Sequence, residues 1–202
     1  MNAAISDYKA VRQWAGSMDG VFSRMDLENL FNLTNPVLFY RRLRVLIDSG
    51  VLCRFRREFY ITEDCNLEAL ARRMYPDSYI SMGSVLARRC LIGSIPARTV
   101  YAVKTGRNRT FSSPRGTIVY CGISPDLVFD CVVEDGVLRA SPEKAWLDAL
   151  YFYQKGFRFS FDVTGDVNLP LLDHVKIIGM LKKYQNPRFV SFVRGVLSGA
   201  EQ

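Results

Sequence analysis

The chain has 202 residues, 49% of them apolar, and its 27 Lys and Arg against 20 Asp and Glu give a formal charge of +7 and a pI near 9.3. That apolar share is ample for a folded core, and a basic balance suits a polyanionic partner. No apolar run reaches the roughly 18 residues of a membrane span, no basic start precedes an apolar stretch at the N-terminus, and Cys53, Cys65, Cys90, Cys121 and Cys131 make no C-x-x-C pair, so the composition predicts a cytoplasmic protein with reduced, buried cysteines rather than an anchored, secreted, disulfide-framed or zinc-bound one.

Ser23 and Asp26 make a capping-box-like start to a short helix carrying Leu27, Leu30 and Phe31, and Asn32, Leu33 and Thr34 form a tight turn. Asn35 then caps a second helix opened by Pro36 and closed by Ser49 and Gly50. Phe39, Leu43, Leu46 and Gly50 recur at helical spacing as one core-facing stripe. At about 100° per residue, Arg41 points almost directly away from Leu43 with Arg42 and Arg44 on either side, so three arginines are expected to face outward.

Val51 to Phe55 and Glu58 to Thr62 read as the strands of a hairpin, with Arg54, Arg56 and Arg57 at or near its connection. A turn between two helices, followed by a basic hairpin, predicts a winged helix-turn-helix. Such a unit offers helix side chains to the major groove of double-stranded DNA and a ribbon to its backbone or minor groove. Only Asp48 and Glu58 are acidic between Asn35 and Ile61, which favours phosphate neutralisation over a merely solvated face. The expected DNA contacts are Asn35, Tyr40, Arg41, Arg42, Arg44, Arg54, Arg56 and Arg57.

Asn66 to Tyr75 is predicted helical on the spacing of Leu67, Leu70, Ala71 and Met74, and Pro76 ends it. A boundary there divides a DNA-binding domain, 1–76, from a second domain, 77–202. The first holds eleven basic against nine acidic residues, so the placement of charge rather than its sum carries the DNA reading. Tyr79 to Gly93 is expected to be a short helix, with Ile80, Val85, Leu86 and Leu91 facing a core.

From Thr99 the period becomes two. Thr99 to Thr105, Arg109 to Ser112 and Thr117 to Cys121 read as strands separated by Gly106-Arg107-Asn108 and Ser113-Pro114-Arg115-Gly116. Lys104, Arg107, Arg109 and Arg115 gather at these turns as a second basic patch, expected to project from the tips toward flanking DNA or another partner. Leu127 to Val133 and Val137 to Arg139 continue the β character around Asp135-Gly136. Ser141-Pro142-Glu143 opens a helix that Gly156 ends. A short strand at Phe157 to Val163 and helices at Pro170 to Tyr184 and Pro187 to Leu197 complete the reading. The expected fold class is α+β: an N-terminal winged helix-turn-helix followed by a mixed α/β C-terminal domain with antiparallel hairpins and terminal helices.

Catalytic machinery is not in view. The single histidine, His174, lies on a predicted helix away from any nucleophile motif, and no G-x-x-x-x-G-K-[ST] or G-x-G-x-x-G loop is present. Asp126 with Asp130, and Asp162 with Asp166, have no general acid/base setting. The sequence therefore predicts a non-enzyme with no cofactor and no metal.

In its order of parts the chain resembles the AbiE-type antitoxins of type IV toxin–antitoxin systems. A winged helix is followed by YISMGSVLARRCLIG, by TVYAVKTGRNRTFSSPRGTIVYCGI from Thr99 to Ile123, and by ASPEKAWLDALYF from Ala140 to Phe152. The likeness extends over nearly the whole chain and is most specific at the Ser-Pro-Glu-Lys-Ala helix start. It implies an N-terminal domain that binds operator repeats and represses its own operon. It also implies a C-terminal domain that counters a nucleotidyltransferase toxin without needing a stable complex. By the same likeness Arg41, Arg42 and Arg44 fall on the recognition helix and Arg54, Arg56 and Arg57 on the wing. Ser141, Glu143, Lys144 and Asp148 mark a helix whose role reads as structural. The alternatives are a stand-alone winged-helix transcriptional regulator with a ligand-sensing or dimerising second domain, and a protein-interaction module that uses a winged helix without DNA.

Overall fold

The structure is a computed structural model and describes residues 3–199. Its N-terminal part runs α1 (Ala3–Ala15), β1 (Val21–Ser23), α2 (Arg24–Phe31), α3 (Pro36–Asp48), β2 (Cys53–Arg56), β3 (Phe59–Ile61) and α4 (Leu67–Met74). The three strands form an antiparallel sheet in the order β1-β3-β2. Ser23 and Asp26 close both halves of a capping box at α2, and Asn32 ends that helix in the left-handed region at φ +50°. Asn35 Oδ1 accepts the Val37 and Leu38 N–H groups at 2.9 and 3.2 Å, satisfying two of the orphan donors of α3. Phe39, Leu43 and Leu46 pack with Val11, Phe22, Leu27, Phe31, Leu52 and Tyr60 into a small core.

Neither α1 nor β1 has a clear signature in the sequence. Only Asp7 and Val11 among the described side chains of α1 are fully buried, too narrow a stripe to give a helical signature.

The remainder adds β4 (Tyr79–Ile80), α5 (Gly83–Arg88), β5 (Thr99–Thr105), β6 (Arg109–Ser113), β7 (Gly116–Ile123), β8 (Cys131–Glu134), β9 (Val137–Ala140), α6 (Pro142–Gln154), α7 (His174–Leu181) and α8 (Pro187–Gly199). Its six strands are ordered β6-β7-β5-β4-β9-β8. The molecule is an α+β protein. The described helices include none long and apolar enough to cross a membrane.

Four local expectations change. Tyr79 and Ile80 are not helical but form a strand between β5 and β9, and α5 starts only after Met82 turns the chain at φ +51°. The segment from β5 to β7 is not a meander of hairpins: β5 and β7 lie parallel and adjacent, and β6 pairs only with β7. Residues 106–108 must therefore cross the end of β7. Gly122 makes this possible, since a methyl group there would overlap the Gly106 carbonyl oxygen, and Asn108 Oδ1 accepts the Gly122 N–H at 2.7 Å. True hairpins are β6–β7 and β8–β9, the latter turning through Asp135 and Gly136, both at positive φ.

Phe157 to Val163 is the third change, for it joins no strand ladder. Phe157, Phe159 and Phe161 meet in tilted ring contacts at 4.7 and 5.3 Å, and the first two pack against Tyr101. The alternating phenylalanines thus fill one side of an irregular segment. Finally, the helix expected over Pro170 to Tyr184 is confined to α7, which Asp173 caps after a 3-10 turn at Leu169–Leu171.

The larger core lies under the six-stranded sheet and continues into the N-terminal part. Leu67, Leu70, Ala71 and Met74 of α4 are buried in it, as are Val21, Phe55 and Ile61. Arg139 of β9, almost wholly buried, is tied to Glu68 of α4.

Within this core α6 carries an ionic group. Lys144 and Asp148, one turn apart and both fully buried, are paired. The Tyr79 and Ser81 hydroxyls donate to the second Asp148 oxygen at 3.0 and 2.8 Å, and the ammonium lies 4.7 Å from the centre of the Phe129 ring. Burial, reinforced by the Asp148 charge, pushes the Tyr79 phenol well above its ordinary range.

A second cluster fastens α7. Lys176 Nζ stands 3.0 Å from both Asp130 and Glu143, and the Ser141 hydroxyl also donates to Asp130. Burial alone would raise both carboxyls. Hydrogen bonds from Ser141 and Lys176 to Asp130, and from Lys176 and backbone N–H groups to Glu143, outweigh it and hold both pKa values below the ordinary 3.8 and 4.5. Depressed carboxylates stabilise the fold above their unfolded pKa and cease to do so as pH falls through the folded one. The melting temperature should therefore be nearly independent of pH from 7 to about 5 and fall below about 4. In a Lys176→Met variant the acid slope should be shallower; an unchanged slope would remove these two groups as its source.

Candidate nucleic-acid interface

The outer face of α3 is solvent-facing along its length. Asn35, Val37, Tyr40, Arg41, Arg44 and Val45 are exposed there. Arg44 meets Asp48 only loosely, at 3.5 Å with both side chains in water, so little holds it against a new partner. Asn35 is partly committed: its oxygen caps α3, leaving the amide donors to face outward.

Arg42 does not join this face. It forms a two-pronged pair with the buried Asp7 of α1, Nε to Oδ2 at 2.6 Å, and its guanidinium stands 5.5 Å from the Phe31 ring centre. On the helical wheel Arg42 flanks the buried stripe on the side that α1 covers, so the outward placement expected from α3 alone is corrected by a helix that the sequence pattern did not reveal. Arg42→Ala should cost about 3 kcal/mol by leaving a buried carboxylate unpaired. Urea unfolding would measure that loss; Arg42 would instead be a phosphate ligand if stability held and the salt dependence of DNA binding changed.

On the hairpin, Arg54 and Arg57 are exposed, Arg57 facing Glu58 at 3.6 Å. Arg56 leans on the C-terminal sheet instead of standing free at the connection. Its guanidinium is 4.4 Å from the Phe111 ring centre and 5.9 Å from that of Tyr75.

The second basic patch separates into two pairs. Arg107 and Arg109 are exposed. Lys104 is not at a tip: only 9% exposed, it stands 5.0 Å from the Tyr75 ring centre and donates to the Thr105 carbonyl. Arg115 is turned into the seam between the two halves, donating to the Ile61 carbonyl at 2.7 Å and to that of Gly50, just past α3. The turn that carries Arg115 plugs into the N-terminal part, which explains why a turn residue is half buried.

One member of the surface escaped sequence reasoning. Arg24 opens α2, its N–H donates to the Glu58 carbonyl at 2.9 Å, and its guanidinium lies 5.3 Å from the Tyr40 ring centre while Nε bonds Glu28 at 2.7 Å. It thereby links α2, α3 and the hairpin. Burial raises the nearby Tyr60 phenol above its ordinary range. Its only sequence signal was position, directly after the capping Ser23.

The cysteines are free, but their expected burial holds fully for Cys121 alone; Cys53, Cys65 and Cys131 are half-buried and Cys90 is exposed. Among the described residues no group of three His, Cys, Asp or Glu is placed to hold a metal ion.

No protein-family model and no curated protein matches the chain. Among solved structures, the fold is similar to the crystal structure of the RV2827C protein from Mycobacterium tuberculosis, with a TM-score of 0.53 and 11% identity over 94% of this chain and 73% of that one. At that identity the likeness is one of fold.

Proposed function

We propose that α2, α3 and the β2–β3 hairpin act as a winged helix-turn-helix that binds double-stranded DNA, with α3 in the major groove and the hairpin beside it. The observation that carries this reading is the exposed face of α3, where Arg41 and Arg44 stand free of strong carboxylate partners, next to a ribbon with Arg54 and Arg57 outward. Arg41 and Arg44 then read base edges or grip phosphate within the groove, while Arg54 and Arg57 neutralise the backbone. Arg24 links the hairpin to α3 through Glu58 and Tyr40.

The resemblance to AbiE-type antitoxins extends the proposal to a repressor of its own operon that counters a nucleotidyltransferase toxin. A reporter driven by the DNA upstream of the chain's own gene should be repressed by the parent and released by Arg41→Ala. Co-expression with an adjacent nucleotidyltransferase gene should restore growth. Repression without rescue would leave a stand-alone regulator, and loss of both would remove the proposal.

A further inference from the structure

Of the two edges of the six-stranded sheet, one is covered and one is open. β2 of the hairpin lies against β6, with the Arg56 guanidinium over the Phe111 ring. At the other end β8 pairs with β9 alone. The Ser141 N–H donates to the Asp130 carbonyl on the β9 side, so across the same peptide plane the Cys131 N–H points away from the sheet. Alternation along the strand then sends the N–H and C=O groups of Val132 and Glu134 to β9 and those of Cys131 and Val133 outward. Among the described residues nothing bonds to these outward groups. The edge also lacks the usual guards: β8 has no proline, lysine or bulge, and Val132 and Val133 are 52% and 69% exposed. The charges at its ends are already matched, for Asp130 meets Lys176, Glu134 meets Arg89 and Asp135 meets Arg88. α7, fastened to Asp130 through Lys176, carries two more uncovered apolar side chains, Val175 and Ile178.

We infer that β8 is a homodimerisation edge, at which two copies of the chain join their sheets by antiparallel β8–β8 pairing. A second copy fits this edge because each carboxylate at the ends of the strand is neutralised within its own chain, which leaves no unmatched charge to repel an identical surface across a two-fold axis. The outward groups fix the register. Cys131 of each copy exchanges its N–H and C=O bonds with Val133 of the other, and Val132 faces Val132 on the axis. That axis is normal to the joined sheet, so the α7 helices of both copies stand on one face of it. A strand of 4 residues buries too little surface for a tight complex, and a dissociation constant of about 10–100 μM is expected.

Sedimentation equilibrium of the full chain, without DNA, should show monomer passing to dimer across that range of concentration. Val132→Lys sets like charges opposite each other on the axis and should weaken the dimer about tenfold or more while melting as the parent does. Val132→Thr, which keeps a β-branched side chain without charge, should dimerise as the parent does. Hydrogen exchange on the parent needs no variant. The amides of Cys131 and Val133 should exchange more slowly as the concentration rises, whereas those of Val132 and Glu134 should be protected throughout. A chain that stays monomeric over the range overturns the pairing. So does a dimer that Val132→Lys leaves intact and that gives the Cys131 and Val133 amides no protection.

Discussion

Asp148→Ala is expected to cost about 3–5 kcal/mol, the largest loss of any single change considered, because it strands the Lys144 ammonium in a site with no access to water. The Tyr79 and Ser81 hydroxyls lose their acceptor in the same step. Removing both charges is a different matter, since the penalty of an unpaired charge disappears with the charge. The double variant Lys144→Met with Asp148→Leu should recover more than half of the loss, short of full stability because each stranded hydroxyl still costs about 1 kcal/mol or more. Urea unfolding of parent, single and double variants gives all three values. An Asp148→Ala protein within about 1 kcal/mol of the parent would mean that water reaches the pair and that the core is not sealed around it.

The second large effect is on binding. Arg41 and Arg44 lie on the outer face of α3, and neither takes part in the core, so replacing both with alanine should leave unfolding within about 0.5 kcal/mol of the parent. Loss of two groove contacts should weaken operator affinity by about 2–6 kcal/mol in total if each meets a guanine edge, and discrimination against altered bases should fall at two positions. Changing Arg57 tests the other kind of contact: all sequences should weaken alike. An Arg41→Ala, Arg44→Ala protein that still discriminates between operator and scrambled duplex would move base reading to another element.

What could be read from the sequence was what local geometry decides. Asn35 with Pro36, and Ser23 with Asp26, set helix starts through bonds spanning two or three residues, so their structures follow from residue type. The stripe of Phe39, Leu43 and Leu46 likewise needs only the helical period. The inward turn of Arg42 depends on Asp7, 35 residues earlier and on a helix with little apolar signature. Strand order is equally non-local: the turn residues at 106–108 and 113–116 mark where strands end, while placing β7 between β5 and β6 depends on pairing across the sheet. Two residues do carry a usable signal. Lys104 falls in phase with Val100 and Ala102 along β5, both buried, and Gly122 sits within β7, where a glycine marks a close backbone approach. Phe157, Phe159 and Phe161 show the converse, a period of two with no strand partner beside it.

In the proposed binding mode the cations on α3 and its neighbouring hairpin dock on a duplex. The most direct test is a titration of the intact chain with its upstream DNA at salt concentrations from about 0.05 to 0.2 M. Neutralisation of about four phosphates, by Arg41, Arg44, Arg54 and Arg57, predicts a fall in affinity of roughly a hundredfold over that range. Equal affinity at both ends would rule out that docking.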